Sequence, residues 1–149
     1  MRLRVYLDTS VLSAYFDERV PERQAVTRDF WDEAHAFDLS TSDLAREELA
    51  QTQDTVLRAR FGHLLDGLAI ISVTDEMKQV ARHYVDAGVF TTRMWNDALH
   101  VACAVITRQD VLLSWNFRHL VNRRRRAAIN DLGVAFGLPS IEILAPPEL

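Results

Sequence analysis

In 5-VYLDTSVLSAYF-16, a short run of apolar and aromatic residues meets an acid, Asp8, then two hydroxyl residues, then a second apolar stretch. Leu3 to Leu7 reads as a short buried strand and Val11 to Phe16 as a short helix, which puts Asp8 at the strand's carboxyl end. Asp8, Thr9 and Ser10 can each cap that helix. One cap needs only one of them, so Asp8 is left free to point outward from the strand end.

The same alternation continues along the chain. Pro21 opens a helix over Glu22 to Ala36, Phe37 to Ser40 forms a second strand, and Leu44 to Thr52 and Val56 to Leu65 are helical. Ala69 to Val73 is β-branched, and Glu76 to Asp86 is a helix stopped by Gly88. In 93-RMWNDALHVACAVI-106, Leu99, Ala102, Cys103 and Ile106 make one helical stripe that Val101 and Val105 widen, so this is a core helix whose first turn carries Asp97. Val111 to Ser114 is a buried strand, Arg123 to Leu132 a helix ending near Gly133, and Ser140 to Leu144 a last strand. Short apolar runs separated by helices predict an α/β fold with a mostly parallel sheet covered on both faces.

With 149 residues, 48% of them hydrophobic, the chain makes one domain with a substantial core. The lone Cys103 allows no internal disulfide, and no Cys and His cluster has zinc spacing. No apolar run is long enough to span a membrane, and no signal peptide is evident, so the expected compartment is the cytoplasm. The net charge of -4 speaks against bulk coating of nucleic acid. A local basic surface is still available, because Arg118 and the run Arg123, Arg124, Arg125 and Arg126 lie in a stretch without acids.

In sheets of this kind ligands gather outside the carboxyl ends of the strands. The polar residues there are Asp8, the segment 40-STSDLAREEL-49, and Ser114 and Asn116 within 111-VLLSWNF-117. Glu47 and Glu48 are separated by about 100° around a helix axis, so only one of them turns toward the edge that holds Asp8. Two unit charges about 4 Å apart repel by roughly 4 kcal/mol at an effective dielectric of 20. Carboxylates gathered at one edge with Asp97 therefore need a cation or must take up protons. A hard divalent ion, Mg²⁺ or Mn²⁺, suits an all-oxygen set that keeps waters and completes its shell with phosphate.

Together VYLDTSVL, SDLAREEL, WNDALHVACA and LLSWNF, in this order and at these separations, resemble the PIN domain, particularly the VapC-type toxins of bacterial toxin and antitoxin pairs. The likeness covers nearly the whole chain, and four weak motifs in order are specific. It implies a PIN-like three-layer α/β/α fold and a metal-dependent endoribonuclease. It also implies a homodimer held inactive by a cognate antitoxin whose tail enters the active-site groove. The family's acids fall on Asp8, Glu48 and Asp97 as metal ligands, with Glu48 preferred to Glu47 because it directly precedes Leu49. Ser114 matches the small hydroxyl residue of the last motif, whereas Asn116 stands where many relatives carry a fourth acid. The amide removes one negative charge, which weakens a second metal site more than the first. RNA contacts are expected from Arg93, Arg118 and Arg123 to Arg126.

Other readings are weaker. Trp95, Trp115 and His100 are expected to pack, and Cys103 to be inert. Gly62 and Gly67 have phosphate-loop spacing, but Leu68 stands in place of the essential Lys. A haloacid dehalogenase-like enzyme would need an acid where Ser10 stands. A non-catalytic module that keeps the fold and its partner surface is the remaining alternative.

Overall fold

The computed structural model describes all 149 residues. Strands β1 (Leu3–Leu7), β2 (Phe37–Ser42), β3 (Ala69–Ile71), β4 (Val111–Leu113) and β5 (Glu142–Leu144) form a parallel sheet ordered β3-β2-β1-β4-β5. The chain starts at the middle strand, builds one side, and then returns to build the other from β4. The strand order therefore reverses between β1 and β4, where doubly wound sheets open a crevice for ligands. Asp8 and Ser114 are the residues that leave these two strands. Register fixes them as neighbours: Leu7 pairs with Leu113, and the Asp8 amide donates to the Leu113 carbonyl at 3.1 Å.

Helices α1 (Thr9–Ala14), α2 (Pro21–Asp32), α3 (Asp43–Ala50), α4 (Thr55–Asp66), α5 (Asp75–Asp86), α6 (Trp95–Ile106) and α7 (Arg123–Ala135) cover the sheet in a three-layer α/β/α arrangement. Residues Ala98 to Val105 of α6 are buried without interruption, so this helix lies inside the molecule, with His100 the one ionisable side chain of that stretch other than the Cys103 thiol. Its partners in the main core include Val5, Tyr6 and Leu7 of β1, Tyr84 of α5 and Ile129 of α7. A smaller cluster of Leu12, Ala45, Leu49, Phe61 and Leu65 joins α1, α3 and α4.

Element boundaries depart from the sequence reading where local hydrogen bonding overrides hydropathy. The helix expected over 22 to 36 ends at Asp32, and a 3-10 turn at Ala34–Ala36 leads into β2. β2 continues through Ser42, whose hydroxyl caps α3. The core helix starts at Trp95, and Asp97 lies in its first turn as expected. α7 runs past Gly133 to Ala135, and the chain reverses instead at Gly137, whose φ of 69° favours glycine. Gly88, at φ 77°, follows α5 as expected.

Candidate active site

Asp8 is buried at 4% exposure, although it opens α1. Its Oδ1 accepts the Ser10 amide at 3.0 Å and the Ser10 hydroxyl, while its Oδ2 accepts the Ser114 hydroxyl at 2.6 Å. The expectation that Thr9 or Ser10 would cap the helix and release Asp8 outward is thus corrected. Asp8 itself is the cap, because the strand ends with its side chain turned over the first free amides of α1. Burial raises the Asp8 carboxyl above its ordinary range, against the opposing pull of His100 and of the hydrogen bonds from Ser10 and Ser114. A carboxyl so placed gains from a cation that would compensate its charge.

Glu48 enters from α3, which Ser42 holds at its amino end through the Ala45 amide at 3.4 Å. Glu47 is exposed, whereas Glu48 is half-buried and its Oε1 lies 2.8 Å from His100 Nε2. His100, one turn past Asp97 on α6, is 3% exposed. Its Nδ1 is 2.7 Å from the Tyr6 hydroxyl, which is itself 2.7 Å from Ser42 Oγ. A carboxylate only accepts, so Nε2 donates to Glu48. The Tyr6 hydroxyl joins Nδ1 to Ser42 Oγ, completing a buried chain of polar contacts from Ser42 to Glu48. Burial lifts the Tyr6 phenol well above its ordinary value, which keeps its proton in place. His100 is therefore no bland packing residue: it fixes the direction of Glu48.

Asp97 offers Oδ2 to His119 Nδ1 at 2.9 Å. The His119 amide donates to Asn116 Oδ1 at 3.0 Å, the Asn116 amide donates to Ser114 Oγ at 2.9 Å, and Ser114 donates to Asp8. Asp8 and Asp97 are thereby joined through the turn after β4. Glu48 reaches the same end of the sheet through His100, whose Nε2 also lies 3.3 Å from Thr9 Oγ1. Sequence reading missed His119, Thr9 and Ser10 as members of this network. The only available signal was the spacing of His119, three residues after Asn116, which suits a turn closed by an Asn side chain.

The donor set is all-carboxylate, and Asp97 Oδ1 and Glu48 Oε2 have no hydrogen-bond partner within the chain. No three His, Cys, Asp or Glu side chains come together closely enough to cage an ion as they stand. That arrangement fits Mg²⁺ in kind, because this ion is commonly held by one or two carboxylates, waters and substrate phosphate rather than by a full protein cage.

The arginines divide into two groups. Arg93, Arg118, Arg123 and Arg124 are exposed. Arg125 instead donates to the Val89 carbonyl and lies over the Phe90 ring, and Arg126 pairs with Glu148 at 3.1 Å. Trp115 is buried and donates its indole N–H to Thr27 at 2.9 Å, so it packs as expected.

A sequence model of the PIN domain matches residues 5–132. The chain belongs to the PIN domain family. No curated protein matches it in sequence. Among solved structures, this PIN domain is similar to a chain of the DNA-bound VapBC complex of Salmonella typhimurium, at 13% identity, TM-score 0.64, and coverage of 97% of this chain and 98% of that one. It is also similar to VapC20 of Mycobacterium tuberculosis, a toxin that cleaves the sarcin-ricin loop, at 15% identity, TM-score 0.58, and coverage of 77% and 92%. VapBC-5 of Mycobacterium tuberculosis, of the VapBC family of toxin-antitoxin systems, gives 19% identity, TM-score 0.51, and coverage of 95% and 98%. At these identities the likeness is one of fold. No helix of this PIN domain is long and apolar enough to cross a membrane.

Proposed function

We propose that the chain is an Mg²⁺-dependent endoribonuclease, with Mn²⁺ as substitute, and the toxin of a VapBC-type pair. In this reading it works in the cytoplasm as a homodimer and is restrained by a cognate antitoxin. The observation that carries the reading is the linkage of Asp8 and Asp97 through Ser114, Asn116 and His119, with Glu48 oriented by His100 at the same sheet end. Asp8 and Asp97 would hold the ion, with Glu48 acting directly or through water. A divalent ion there supplies Lewis acidity, activating water and neutralising charge on the phosphoryl oxygens.

The chain's own groups do the rest. Ser114 and Ser10 keep Asp8 aimed at the crevice, while His119 and His100 set the angles of Asp97 and Glu48. Arg93, Arg118, Arg123 and Arg124 contact phosphates and set the strand's register without reading bases. Arg125 and Arg126 add positive field from positions already engaged in packing and pairing. Water adds to phosphorus, the bond from phosphorus to the 3′ oxygen breaks, and that oxygen takes a proton, leaving a 3′-hydroxyl and a 5′-phosphate.

Incubation with a mixed-sequence single-stranded RNA pool in Mg²⁺ tests the proposal. Cleavage that EDTA abolishes and Asp97→Asn reduces at least a hundredfold is expected. An Asp97→Asn protein that cleaves as fast as its parent refutes the metal assignment. Asn116, in the position of a fourth acid, favours a second reading, a PIN-fold module that binds without turnover. Binding of the pool with no Mg²⁺-dependent cleavage would select it.

A further inference from the structure

Two clefts flank the turn after β4, and a single ridge separates them. The first, of about 520 Å³, is lined by Ser10 and Asn116 of the site, by Arg23 and by Trp115, with Asp17 at its edge. The second, of about 670 Å³, runs from Val89 and Thr91 to Arg124 and Arg125. Phe117 and Arg118 line both. Phe117 is a large apolar residue left 47% exposed immediately after the candidate site; exposure alone is ordinary for a single side chain, and its neighbours are what distinguish it. Its ring is not mobile decoration: it packs edge-on to Trp115 at 6.2 Å, and the Arg23 guanidinium lies 5.8 Å from its centroid and 4.9 Å from that of Trp115. Arg23 is thereby braced toward the cleft by two aromatic rings. Asp17, the carboxylate in that cleft, is paired with Arg19 at 2.9 Å and held below the ordinary carboxylate range by it, so its charge is locally answered.

From this arrangement we infer that Phe117 is a stacking platform for one unpaired nucleobase of single-stranded RNA beside the scissile phosphate, with Arg23 and Arg118 on the adjoining phosphates. The inference rests on the nuclease reading and extends it by assigning a base subsite. An exposed aromatic ring between cationic clefts is the combination that binds single strands: arginines follow the backbone, and the ring takes any base because every base has a π face. A protein segment would satisfy the ring equally well, but it would need acidic side chains placed on both sides of it, whereas a nucleic-acid strand carries a charge at every phosphate. The subsite is tolerant of sequence, since stacking, rather than hydrogen bonds to base edges, supplies its affinity.

The test is fluorescence anisotropy in EDTA with two labelled probes of equal length. One is a mixed-sequence single-stranded RNA octamer, and the other is its base-free ribose-phosphate counterpart. Phe117→Leu keeps apolar bulk and removes the π face, and is expected to weaken binding of the octamer about tenfold. It should leave the base-free probe unchanged, and Phe117→Trp should match or exceed the parent. Equal loss on both probes would overturn the inference by making Phe117 a support for the arginines. No loss on either would overturn it in favour of a protein partner on the ridge. Adding Mg²⁺ to the same mixtures separates the two claims: an octamer bound through Phe117 and left uncleaved refutes the nuclease, and a cleaved octamer indifferent to Phe117→Leu refutes the subsite.

Discussion

Tyr6→Phe removes one oxygen atom from the middle of the sheet and leaves shape unchanged, so its effect isolates the buried polar chain. Tyr6 is 0% exposed, and its hydroxyl makes two contacts of 2.7 Å, to Ser42 Oγ and to His100 Nδ1. Each lost hydrogen bond costs about 1 kcal/mol, and a buried polar atom left without a partner, here Nδ1, costs about 1–3 kcal/mol. Allowing for overlap between these costs, the loss is about 2–4 kcal/mol. For a chain of this length that lowers Tm by roughly 5–15 °C. Tyr84→Phe is the control, because Tyr84 is equally buried at 1% but its hydroxyl makes no hydrogen bond within the chain; its Tm should move by less than about 2 °C. Thermal unfolding followed by circular dichroism reads both. If Tyr6→Phe melts within about 2 °C of the parent, the buried hydrogen-bonded chain from Ser42 to Glu48 contributes nothing to stability and the reasoning fails. The same variant frees His100 to rotate, so RNA cleavage should fall even at temperatures where the protein is fully folded.

Asn116→Asp keeps the oxygen that receives the His119 amide and adds a charge beside Ser114, so it should tighten Mn²⁺ binding by isothermal calorimetry; an unchanged titration would place Asn116 outside the ion's reach. Burial pushes the Cys103 thiol up to about 12 from 9.0, so the folded chain holds that proton longer than the unfolded chain. Stability contributed by Cys103 is complete below pH 9.0 and is lost as pH rises toward 12, and the decline in urea midpoint over this window should be shallower in Cys103→Ala. Iodoacetamide at pH 8 should label Cys103 only after unfolding. Arg108 is exposed and sits just beyond α6 at φ 56°, a left-handed position where glycine carries no steric cost, so Arg108→Gly should raise Tm by about 1–4 °C.

The sheet was legible because Val5 to Leu7 of β1 and Val111 to Leu113 of β4 are short buried runs, and each strand is followed by a polar residue. Asp8, Ser114 and Asn116 were legible for the same reason, whereas helix position and the resemblance to the PIN domain single out Glu48 and Asp97. Helical phase also separates Glu48 from Glu47, and the structure leaves Glu47 exposed. The pairs that orient the acids were not legible. Tyr6 and His100 lie 94 positions apart, and Asp97 and His119 lie 22 apart, and no periodicity links such residues before the sheet brings them together. Arg125 and Arg126 were also unreadable, since a run of four arginines does not reveal which side chains fold back onto Val89, Phe90 and Glu148. Nor does hydropathy disclose that Phe117 would stay at the surface while Trp115, two residues earlier, went inside.

The bond from Ser114 to Asp8 spans 106 residues, and β1 cannot be flanked on its second side until Val111 to Leu113 have been made. Most of the chain must therefore leave the ribosome before the crevice has two walls. An enzyme that attacks RNA while still attached to a messenger would endanger its own synthesis. Starting from the central strand and finishing beside it postpones a two-walled crevice to the last quarter of translation, so the proposed nuclease would stay incomplete while most of its chain is being made.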